Sequence, residues 1–444
     1  MVPCLTSQTK NYLSPSFQHI LSDRMVFYSA KRMLLSTCLV SLAMIASLSN
    51  SKAQVAGCTD PLANNYQPGA TVNNGSCTYS PLTYRPVVKV NPMDDVLAET
   101  SALEMAGNFL WTLNDGGGAA AIYRIDTVTS AVLQTVYLAG TTNKDWEAMA
   151  FDGTSFYIGD IGNNVNGART DLVIYKFPFS AIPNYITNPA ATIPANLIEH
   201  IRYVYAEQPQ PPIPINANST RFDCEAILVA NEKIHLFSKN WIDNNTTHYI
   251  INGNTAGNYQ ALPLETLSNN FMVTGAAKAP GQQMVALLGY SNTFPFNHSL
   301  QLLSDFKGDF YFNGNKRQLA LSNILDIGQA EGLCFSSTNA GYLSNEKVDA
   351  LSINQRLHAF DISNLISAAT TLFIFEGNGN WDEAANWKNS RIPAANLQVG
   401  SEIIINPLAG GQCTLNLPYI ITQGVQLKVN DGKQFIIKGN LTLQ

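Results

Sequence analysis

The chain has 444 residues, enough for two or three domains, and a formal net charge of −6 with a pI near 5.5. It is 45% hydrophobic but only 13% charged, so uncharged side chains supply most of its polarity, which suits a folded extracellular surface. The acidic balance and the lack of a Lys/Arg run exclude a basic field for phosphate backbones, so no nucleic-acid partner is expected.

Residues 1–53 have the pattern of a leader followed by a secretory signal peptide. Lys31 and Arg32 precede an apolar run over residues 33–46, and Ser51 and Ala53 are small residues at the −3 and −1 positions of a cut after Ala53. The run is shorter than the roughly 20 apolar residues that a membrane-spanning helix needs. We therefore expect export to the extracellular space or the cell surface, without a transmembrane helix in the mature chain.

Removal of residues 1–53 would leave an odd number of cysteines: Cys58, Cys77, Cys224, Cys334 and Cys413. Cys58 and Cys77 bracket a turn-rich stretch too small for its own core, where a disulfide contributes most, so these two are predicted to pair. Cys224 and Cys334 lie inside apolar strand patterns and are expected to be buried thiols.

Residues 54–80 form the first predicted module. The run that begins Cys58-Thr59-Asp60-Pro61 and ends Gly75-Ser76-Cys77 resembles short disulfide modules of secreted Bacteroidetes proteins. Those modules usually carry an Asp before the final Gly, where this chain has Asn73 and Asn74. Amide oxygens alone provide little charge for calcium.

Residues 82–366 repeat one pattern of short apolar or alternating runs separated by Gly, Asn, Asp and Pro. Two copies align closely: residues 99–105 with residues 145–151, and the following residues 108–115 with residues 155–160. Further copies start at residues 223, 273 and 329. Units of about 50 residues with four strands each are typical of propeller blades. The sequence therefore predicts an all-β fold, with a five- or six-bladed β-propeller over residues 82–366.

Two flanking segments complete the predicted organisation. The last repeat ends near residues 356–362 with three strands, and residues 84–90 have no blade of their own, so we expect this early run to supply the missing outer strand. Residues 374–444 are predicted to form a β-rich module, because Gly379-Asn380-Trp381 and Asn386-Trp387 resemble the openings of such modules in bacterial surface and adhesin-like proteins. The sequence ends directly after the β-forming run at residues 435–443, which suggests a truncated product.

The second repeat carries a family resemblance. Asp145-Trp146-Glu147, followed by the turn Gly159-Asp160-Ile161-Gly162-Asn163, resembles secreted bacterial propellers whose relatives include lactonase-like and phytase-related esterase-like propellers. Asn163 stands where that pattern often has a second Asp.

Carboxylates recur at the starts of the repeats and at the ends of the second strands, and strand geometry brings both sets to one mouth of a central channel. The candidate metal ligands are Glu99, Glu147, Glu225, Glu331, Asp115 and Asp160. Gly275 interrupts the series of Glu residues. Carboxylates that share one mouth repel unless they are protonated, hydrogen-bonded or neutralised, and ligation by oxygen alone suits calcium or magnesium.

A structural interpretation of these Glu residues stays open, because polar residues that recur in every blade often cap backbone amides or form ion pairs. The partners available for ion pairs are Lys144, Arg169, Arg221 and Lys239.

Two functions are compatible with these observations. The first is a secreted or cell-surface binding protein whose acidic mouth takes a small molecule, a glycan or a protein, with Trp111, Trp146 and Trp241 as a candidate platform for a sugar. The alternative is a divalent-metal-dependent hydrolase of esters, lactones or phosphoesters that uses Glu147, Glu225 and Glu331. No catalytic residue is assigned, because the sequence has neither a Gly-x-Ser-x-Gly elbow nor a His-Glu-x-x-His pair.

Overall fold

Extended strands dominate the molecule, as the alternating and apolar runs predicted. The structure, a computed structural model, describes residues 55–70, 72–366, 372–388, 392–393, 397, 401–421 and 425–443. All of them belong to the unit Val55–Gln444. The predicted leader and signal peptide, residues 1–53, lie outside the described residues. Within the described ranges, no helix is long and apolar enough to cross a membrane.

The first strands belong to the N-terminal module and the large β-domain. In chain order they are β1 Ala56–Gly57, β2 Val72–Asn73, β3 Leu82–Thr83, β4 Val87–Val90, β5 Thr100–Ala106, β6 Phe109–Asn114, β7 Ala121–Ile125, β8 Val132–Leu138, β9 Trp146–Phe151, β10 Ser155–Asp160, β11 Val173–Pro178, β12 Ala190–Ile193, β13 Glu199–Tyr205, β14 Cys224–Ala230, β15 Lys233–Ser238, β16 Thr246–Ile251, β17 Gly257–Leu267, β18 Met272–Lys278, β19 Met284–Tyr290, β20 Asn297–Ser304, β21 Asn315–Asn323, β22 Gln329–Phe335, β23 Ala340–Glu346 and β24 Arg356–Asp361.

Short helical turns connect some of these strands. They are the α-turn Ile324–Ile327 and the 3-10 turns Asp95–Leu97, Phe179–Ala181, Ala195–Leu197, Tyr311–Asn313 and Asp349–Leu351.

Antiparallel meanders of neighbouring strands build the large β-domain. β5 to β8 form one sheet, with β12 added in parallel at β8. β9–β10–β11–β13 and β14–β15–β16–β17 form one eight-stranded sheet, because β13 and β17 pair in parallel. β18 to β21 form the next sheet, with β3 in parallel at β21. β22–β23–β24 is completed by β4, which confirms that the early run supplies the missing outer strand.

The first strands of the meanders stand side by side in a circle. β5 lies against β9, β9 against β14, β14 against β18, β18 against β22, and β22 against β5. Apolar side chains fill the space between consecutive meanders, such as the fully buried Trp111, Trp146 and Phe156 between the first two. Sheets arranged radially around a closed circle of inner strands define a β-propeller. Cys224 and Cys334 are buried thiols in this core, as predicted.

The N-terminal module is closed by a disulfide bond and contacts the propeller. Cys58 and Cys77 form the predicted disulfide. The Thr59 hydroxyl donates to the Asp305 carboxylate at 3.2 Å, and Asn73 Nδ2 donates to Asn315 Oδ1 at 2.8 Å. The module therefore contacts the outer part of the sheet that contains β20 and β21.

Because the disulfide closes a loop with a sequence separation of 19, replacing both Cys58 and Cys77 by Ser is expected to lower the free energy of unfolding. The expected loss is about 3 kcal/mol, from the greater freedom of the unfolded chain. Urea denaturation of the oxidised protein and the double variant measures the difference, and the wild type under reducing conditions is the matched control. Equal stability of all three samples would show that the disulfide bond does not contribute to the free energy of unfolding.

A different architecture follows in the C-terminal module. Its strands are β25 Leu372–Phe375, β26 Gly379–Asn380, β27 Glu402–Ile405, β28 Gln412–Leu415, β29 Tyr419–Ile421, β30 Gln426–Val429, β31 Gln434–Ile437 and β32 Leu441–Leu443. β25–β27–β30, β26–β28–β31 and β29–β32 all pair in parallel. Such stacked coils are characteristic of a β-solenoid.

The tryptophans of the Gly-Asn-Trp and Asn-Trp motifs belong to the core of this solenoid. The ring centroids of Trp381 and Trp387 are 4.8 Å apart, and both rings are buried with Phe375 and Ile403. The motif residues therefore pack the inside of the module.

Candidate functional site

Each first strand of the propeller contains a β-bulge near its start. The register with the second strand skips one residue there, so one extra residue faces the partner strand. A bulge redirects the side chain of its extra residue. These bulge residues are all at least nine-tenths buried and are Ser101, Glu147, Glu225, Thr274 and Glu331.

The bulges change which residues belong to the predicted ring. Glu99 is exposed and precedes β5, and Ser101 occupies the position equivalent to Glu147. Thr274, not Gly275, is the equivalent residue of β18. The sequence prediction therefore misplaced the ring position in these two repeats by one or two residues.

The two hydroxyl members of the ring connect neighbouring first strands. Ser101 Oγ donates to the Trp146 carbonyl at 3.2 Å, from β5 to β9. Thr274 Oγ1 donates to the Ala330 carbonyl at 3.0 Å, from β18 to β22. These two bulge residues have a structural role in holding the circle of strands together.

The three acidic bulge residues face one another, and we call Glu147, Glu225 and Glu331 the inner triad. One carboxylate oxygen of each lies within 4.8 Å of the other two, and each residue is 4% exposed. Lys239, which follows β15, forms an ion pair with Glu225 and lies 3.9 Å from Glu331 Oε1. One of the predicted structural partners is therefore present inside the cluster.

Lys239 alone does not satisfy the inner triad. Glu225 Oε2 is buried without a hydrogen-bond partner. Among the described residues, no donor forms a hydrogen bond with the Glu147 carboxylate, although the residue is buried. A buried carboxylate without a partner is costly when it is ionised, so the site favours either protonation or an added cation.

Burial and like charge raise the carboxyl pKa values of the inner triad. Loss of water contact, followed by the charge of Glu225, raises the pKa of Glu147 well above its usual range. Burial likewise raises the pKa of Glu225 and of Glu331, although Lys239 opposes the rise. Burial by itself would lower the pKa of Lys239, but its acidic neighbours raise that pKa well above the usual value, so Lys239 remains an ammonium.

A second group of carboxylates, which we call the outer triad, shares Glu147. Asp115 follows β6, Asp145 precedes β9, and both are half-buried within 4.8 Å of a Glu147 oxygen. Burial and the neighbouring charge of Asp115 raise the pKa of Asp145 to about 6. Glycine at position 162 leaves room for these groups, because a Cβ there would collide with Asp145 and lie 2.9 Å from Glu147 Oε1.

Asp160, another predicted ligand, is engaged elsewhere. Arg169 Nη2 donates to Asp160 Oδ1 at 2.7 Å, and Asp160 belongs to neither triad. Arg169 also pairs with Asp171, and Lys144 pairs with the same carboxylate. The triads thus contain Asp115, Glu147, Glu225 and Glu331 of the predicted set, together with Asp145.

A cavity of about 550 Å³ opens beside the inner triad, and we call it the mouth cavity. Lys239, Tyr290 and Gln329 line it and also reach the triad. The Tyr290 hydroxyl donates to Glu331 Oε1 at 3.5 Å, and Gln329 Nε2 donates to the same oxygen at 3.1 Å. A ligand in this cavity would therefore contact the groups that hold the carboxylates.

Other walls of the mouth cavity are aromatic rings and amides, including Trp241, Phe296 and Asn292. The Trp241 ring nitrogen donates to Asp223 Oδ2 at 2.8 Å, which fixes the ring. Trp111 and Trp146 are fully buried in the core, so of the predicted sugar platform only Trp241 lines the cavity.

Lys239 was predicted from the sequence as one of four possible ion-pair partners of the Glu residues, but Tyr290 was not predicted as a wall of the cavity. A signal existed, because Asp115, Lys239 and Tyr290 occupy equivalent positions at the ends of β6, β15 and β19. The side chain at this position is a carboxylate, an amine or a phenol in the three repeats, so the sequence pattern did not reveal that the positions are equivalent.

Comparison with known proteins does not assign the chain to a family. No protein-family model matches it, and no curated protein matches it. An aldose sugar dehydrogenase from Streptomyces coelicolor, solved with bound PQQ, is 11% identical, with a TM-score of 0.36 and coverage of 63% of this chain and 97% of that chain.

Two further solved structures have a TM-score of 0.28. A candidate 6-phosphogluconolactonase from Bacteroides uniformis is 12% identical over 55% of this chain and 64% of that chain. A chain of the mitotic checkpoint complex is 11% identical over 59% of this chain and 64% of that chain. The match thus spans less than two thirds of either protein. At these identities and TM-scores the likeness assigns no ligand or activity to this chain.

Proposed function

We propose that the protein is an exported five-bladed β-propeller that binds a divalent cation at its channel mouth and an extracellular small molecule or glycan in the mouth cavity. Export is inferred from residues 1–53, and the blade number from the five first strands in the circle. The observation that carries the proposal is Glu147, a buried carboxylate without a donor that belongs to both triads.

Charge balance supports a cation in addition to Lys239. The inner triad has three carboxylates and one ammonium, and the outer triad adds Asp115 and Asp145. When all of them are ionised, Lys239 neutralises one, and Arg169, which lies 3.9 Å from Asp145 but also pairs with Asp160 and Asp171, neutralises no more than one other. Carboxylate-rich oxygen sites suit calcium or magnesium, and open positions can be filled by water or by ligand oxygens.

The mouth cavity supports the ligand part of the proposal. Its volume lies within the roughly 300–1,000 Å³ that is usual for small-molecule sites. Aromatic and amide walls beside a cation suit a hydroxyl-rich ligand, because rings pack on its apolar faces while amides and the cation bind its oxygens.

A cation titration tests the proposal. After treatment with EDTA, calcium should raise the melting temperature of the wild-type protein in a saturable manner, and a cation at 100 times its Kd adds about 2.7 kcal/mol. Glu147→Gln should remove most of this increase, because both triads lose the shared ligand. Magnesium and manganese are tested in parallel.

Glu99→Gln is the matched control, because Glu99 is an exposed glutamate outside both triads. Its melting temperature should respond to calcium as the wild type does. The proposal fails if no divalent cation changes the wild-type melting temperature, or if Glu147→Gln keeps the full response.

Metal-dependent hydrolysis is the second candidate, and the position of Lys239 and Tyr290 favours it. Both groups lie between the inner triad and the mouth cavity, where an ammonium and a hydroxyl can stabilise developing negative charge on a carbonyl or phosphoryl oxygen. A cation bound nearby would lower the pKa of a water nucleophile. Calcium-dependent turnover of ester, lactone or phosphoester substrates that Tyr290→Phe reduces would establish this activity, and binding without turnover would exclude it for the substrates tested.

A further inference from the structure

The inner triad already has a positive group and hydrogen-bond donors of its own. The Lys239 ammonium forms an ion pair with Glu225 and lies 3.9 Å from Glu331 Oε1. Gln329 Nε2 donates to that same Glu331 oxygen at 3.1 Å, and the Tyr290 hydroxyl donates to it at 3.5 Å. Two of its three carboxylates therefore have partners within the protein.

The outer triad has almost no partners. Among the described residues, the side chains of Asp115, Asp145 and Glu147 accept one hydrogen bond between them, which the Gly116 amide donates to Asp115. Arg169 Nη1 lies 3.9 Å from Asp145 Oδ2, too far for a hydrogen bond. The guanidinium instead donates to other carboxylates at 2.7 and 3.1 Å.

Glu147 shows on which side the positive charge is missing. The residue is 4% exposed, and it accepts no hydrogen bond from the part of the chain that the structure describes. One of its oxygens lies within 4.8 Å of an oxygen of Asp115 and of Asp145. A buried carboxylate needs a partner when it is ionised. Because the inner triad has Lys239, the unpaired side of Glu147 is the side that faces the two aspartates.

Two glycines leave space around the Asp145 carboxylate. A Cβ at position 162 would collide with Asp145 Oδ2 and lie 2.9 Å from Glu147 Oε1, and a Cβ at position 116 would lie 3.1 Å from Asp145 Oδ1. The oxygens of Asp145 and Glu147 therefore border one small space, which a methyl group at position 162 would fill.

We propose that one divalent cation binds in the outer triad, on Asp115, Asp145 and Glu147, and that the Lys239 ammonium takes the place of a second cation in the inner triad. The assignment rests on the proposed function, which requires a cation at the channel mouth, and adds where it binds and what limits the number. Three carboxylates are a suitable ligand set for a hard cation such as calcium, with water in its remaining positions.

The role of Lys239 has a consequence for the number of bound cations. The wild-type protein should bind one calcium ion per chain, because the ammonium occupies the inner triad. Lys239→Met removes that ammonium and leaves Glu225 and Glu331 without it. This variant should bind two calcium ions per chain, with Glu147 shared between them.

Isothermal titration of the metal-free full chain with calcium chloride measures the number of sites and their affinity. Asp145→Asn removes a charge from the outer triad, and Gly162→Ala displaces its oxygens without removing a charge. Each should lower the affinity at least about tenfold, as expected when a charged ligand is lost or misplaced. Glu331→Gln, which changes the inner triad alone, should bind calcium almost as the wild type does.

Gly118→Ala is the matched control for Gly162→Ala. An added Cβ at position 118 meets nothing within 4 Å, so this variant should titrate as the wild type does. A weakened Gly118→Ala would show that a methyl group in the mouth loops acts through the backbone and not through the triad, which would overturn the assignment.

The proposal is also overturned if Asp145→Asn keeps the wild-type affinity, or if Glu331→Gln loses as much affinity as Asp145→Asn. In both cases the wild-type protein still binds calcium, so the proposed function survives. Two sites in the wild type, or one site in folded Lys239→Met, would contradict the role given to Lys239. If Lys239→Met fails to fold, the comparison of Asp145→Asn with Glu331→Gln decides. A wild-type protein that binds no calcium would overturn both proposals.

Discussion

Replacing Lys239 by Met is expected to lower the free energy of unfolding at neutral pH by about 3–5 kcal/mol in metal-free buffer, the cost of leaving a buried ion-pair partner uncompensated. The Lys239 side chain is 4% exposed, pairs with Glu225 and lies 3.9 Å from Glu331. Methionine keeps the unbranched shape of the side chain, one heavy atom shorter, and removes its charge. Urea denaturation with EDTA present measures the loss.

The double variant Lys239→Met with Glu225→Gln is the control, since it removes both charges of the ion pair. Most of the lost stability should return, because replacing both partners of a buried pair often costs little. If the double variant is no more stable than Lys239→Met, the loss comes from packing and not from charge.

The effect of Lys239→Met should also depend on pH in a defined direction. The folded-state pKa values of Glu225 and Glu331 are raised, so folding favours their protonated forms. Their contribution to stability is therefore greatest at low pH and is lost as pH rises from the unfolded pKa of about 4 toward the folded values. Without Lys239 the folded-state pKa values of Glu225 and Glu331 rise further. The loss of unfolding free energy caused by Lys239→Met should therefore be small at pH 5 and large at pH 8. An equal loss at both values would contradict this account.

Deleting residues 82–92 is expected to abolish the cooperative unfolding transition of the propeller. The deletion removes β4, which pairs with β24 through Leu357, His358 and Ala359, and β3, which pairs with β21. It leaves the last sheet one strand short with an open edge. Circular dichroism and tryptophan fluorescence, followed during heating, show whether one coincident transition remains.

Val87→Ser is the matched control for the deletion. Val87 is 68% exposed, so the variant keeps the backbone of β4 and should melt close to the wild type. A deletion variant that still unfolds in one transition at the wild-type temperature would show that β4 is dispensable for closing the circle.

Much of the propeller could be predicted from sequence because its information is local and repeated. Short apolar runs with turn residues between them recur five times, and the unpaired run before the first repeat matched the missing strand of the last one. The Cys58–Cys77 pairing was predictable because the two residues flank a segment without a core. The parallel coils of the C-terminal module were not predicted, because a run of β-forming residues does not reveal its partner strand.

The candidate site was predictable only in part, because the pairing register of neighbouring strands decides which residue of each repeat reaches it. Glu147, Glu225 and Glu331 were identified from their place in the repeats, and the structure brings them together. Glu99 was included although it lies two residues from Ser101, the residue in the equivalent bulge. A bulge arises from the pairing of two strands, so a single strand sequence does not show which residue is the extra one.

The sequence by itself determined the all-β character, the repeat, the closing strand and the acidic nature of the mouth, because composition and periodicity encode strands and turns directly. Only the tertiary structure decided that Lys239 enters the inner triad, that Asp160 is taken by Arg169, and that a cavity opens beside the inner triad. These features depend on distances between residues from different strands. Packing of the meanders around one channel sets those distances, and the order of residues in any one repeat does not contain them.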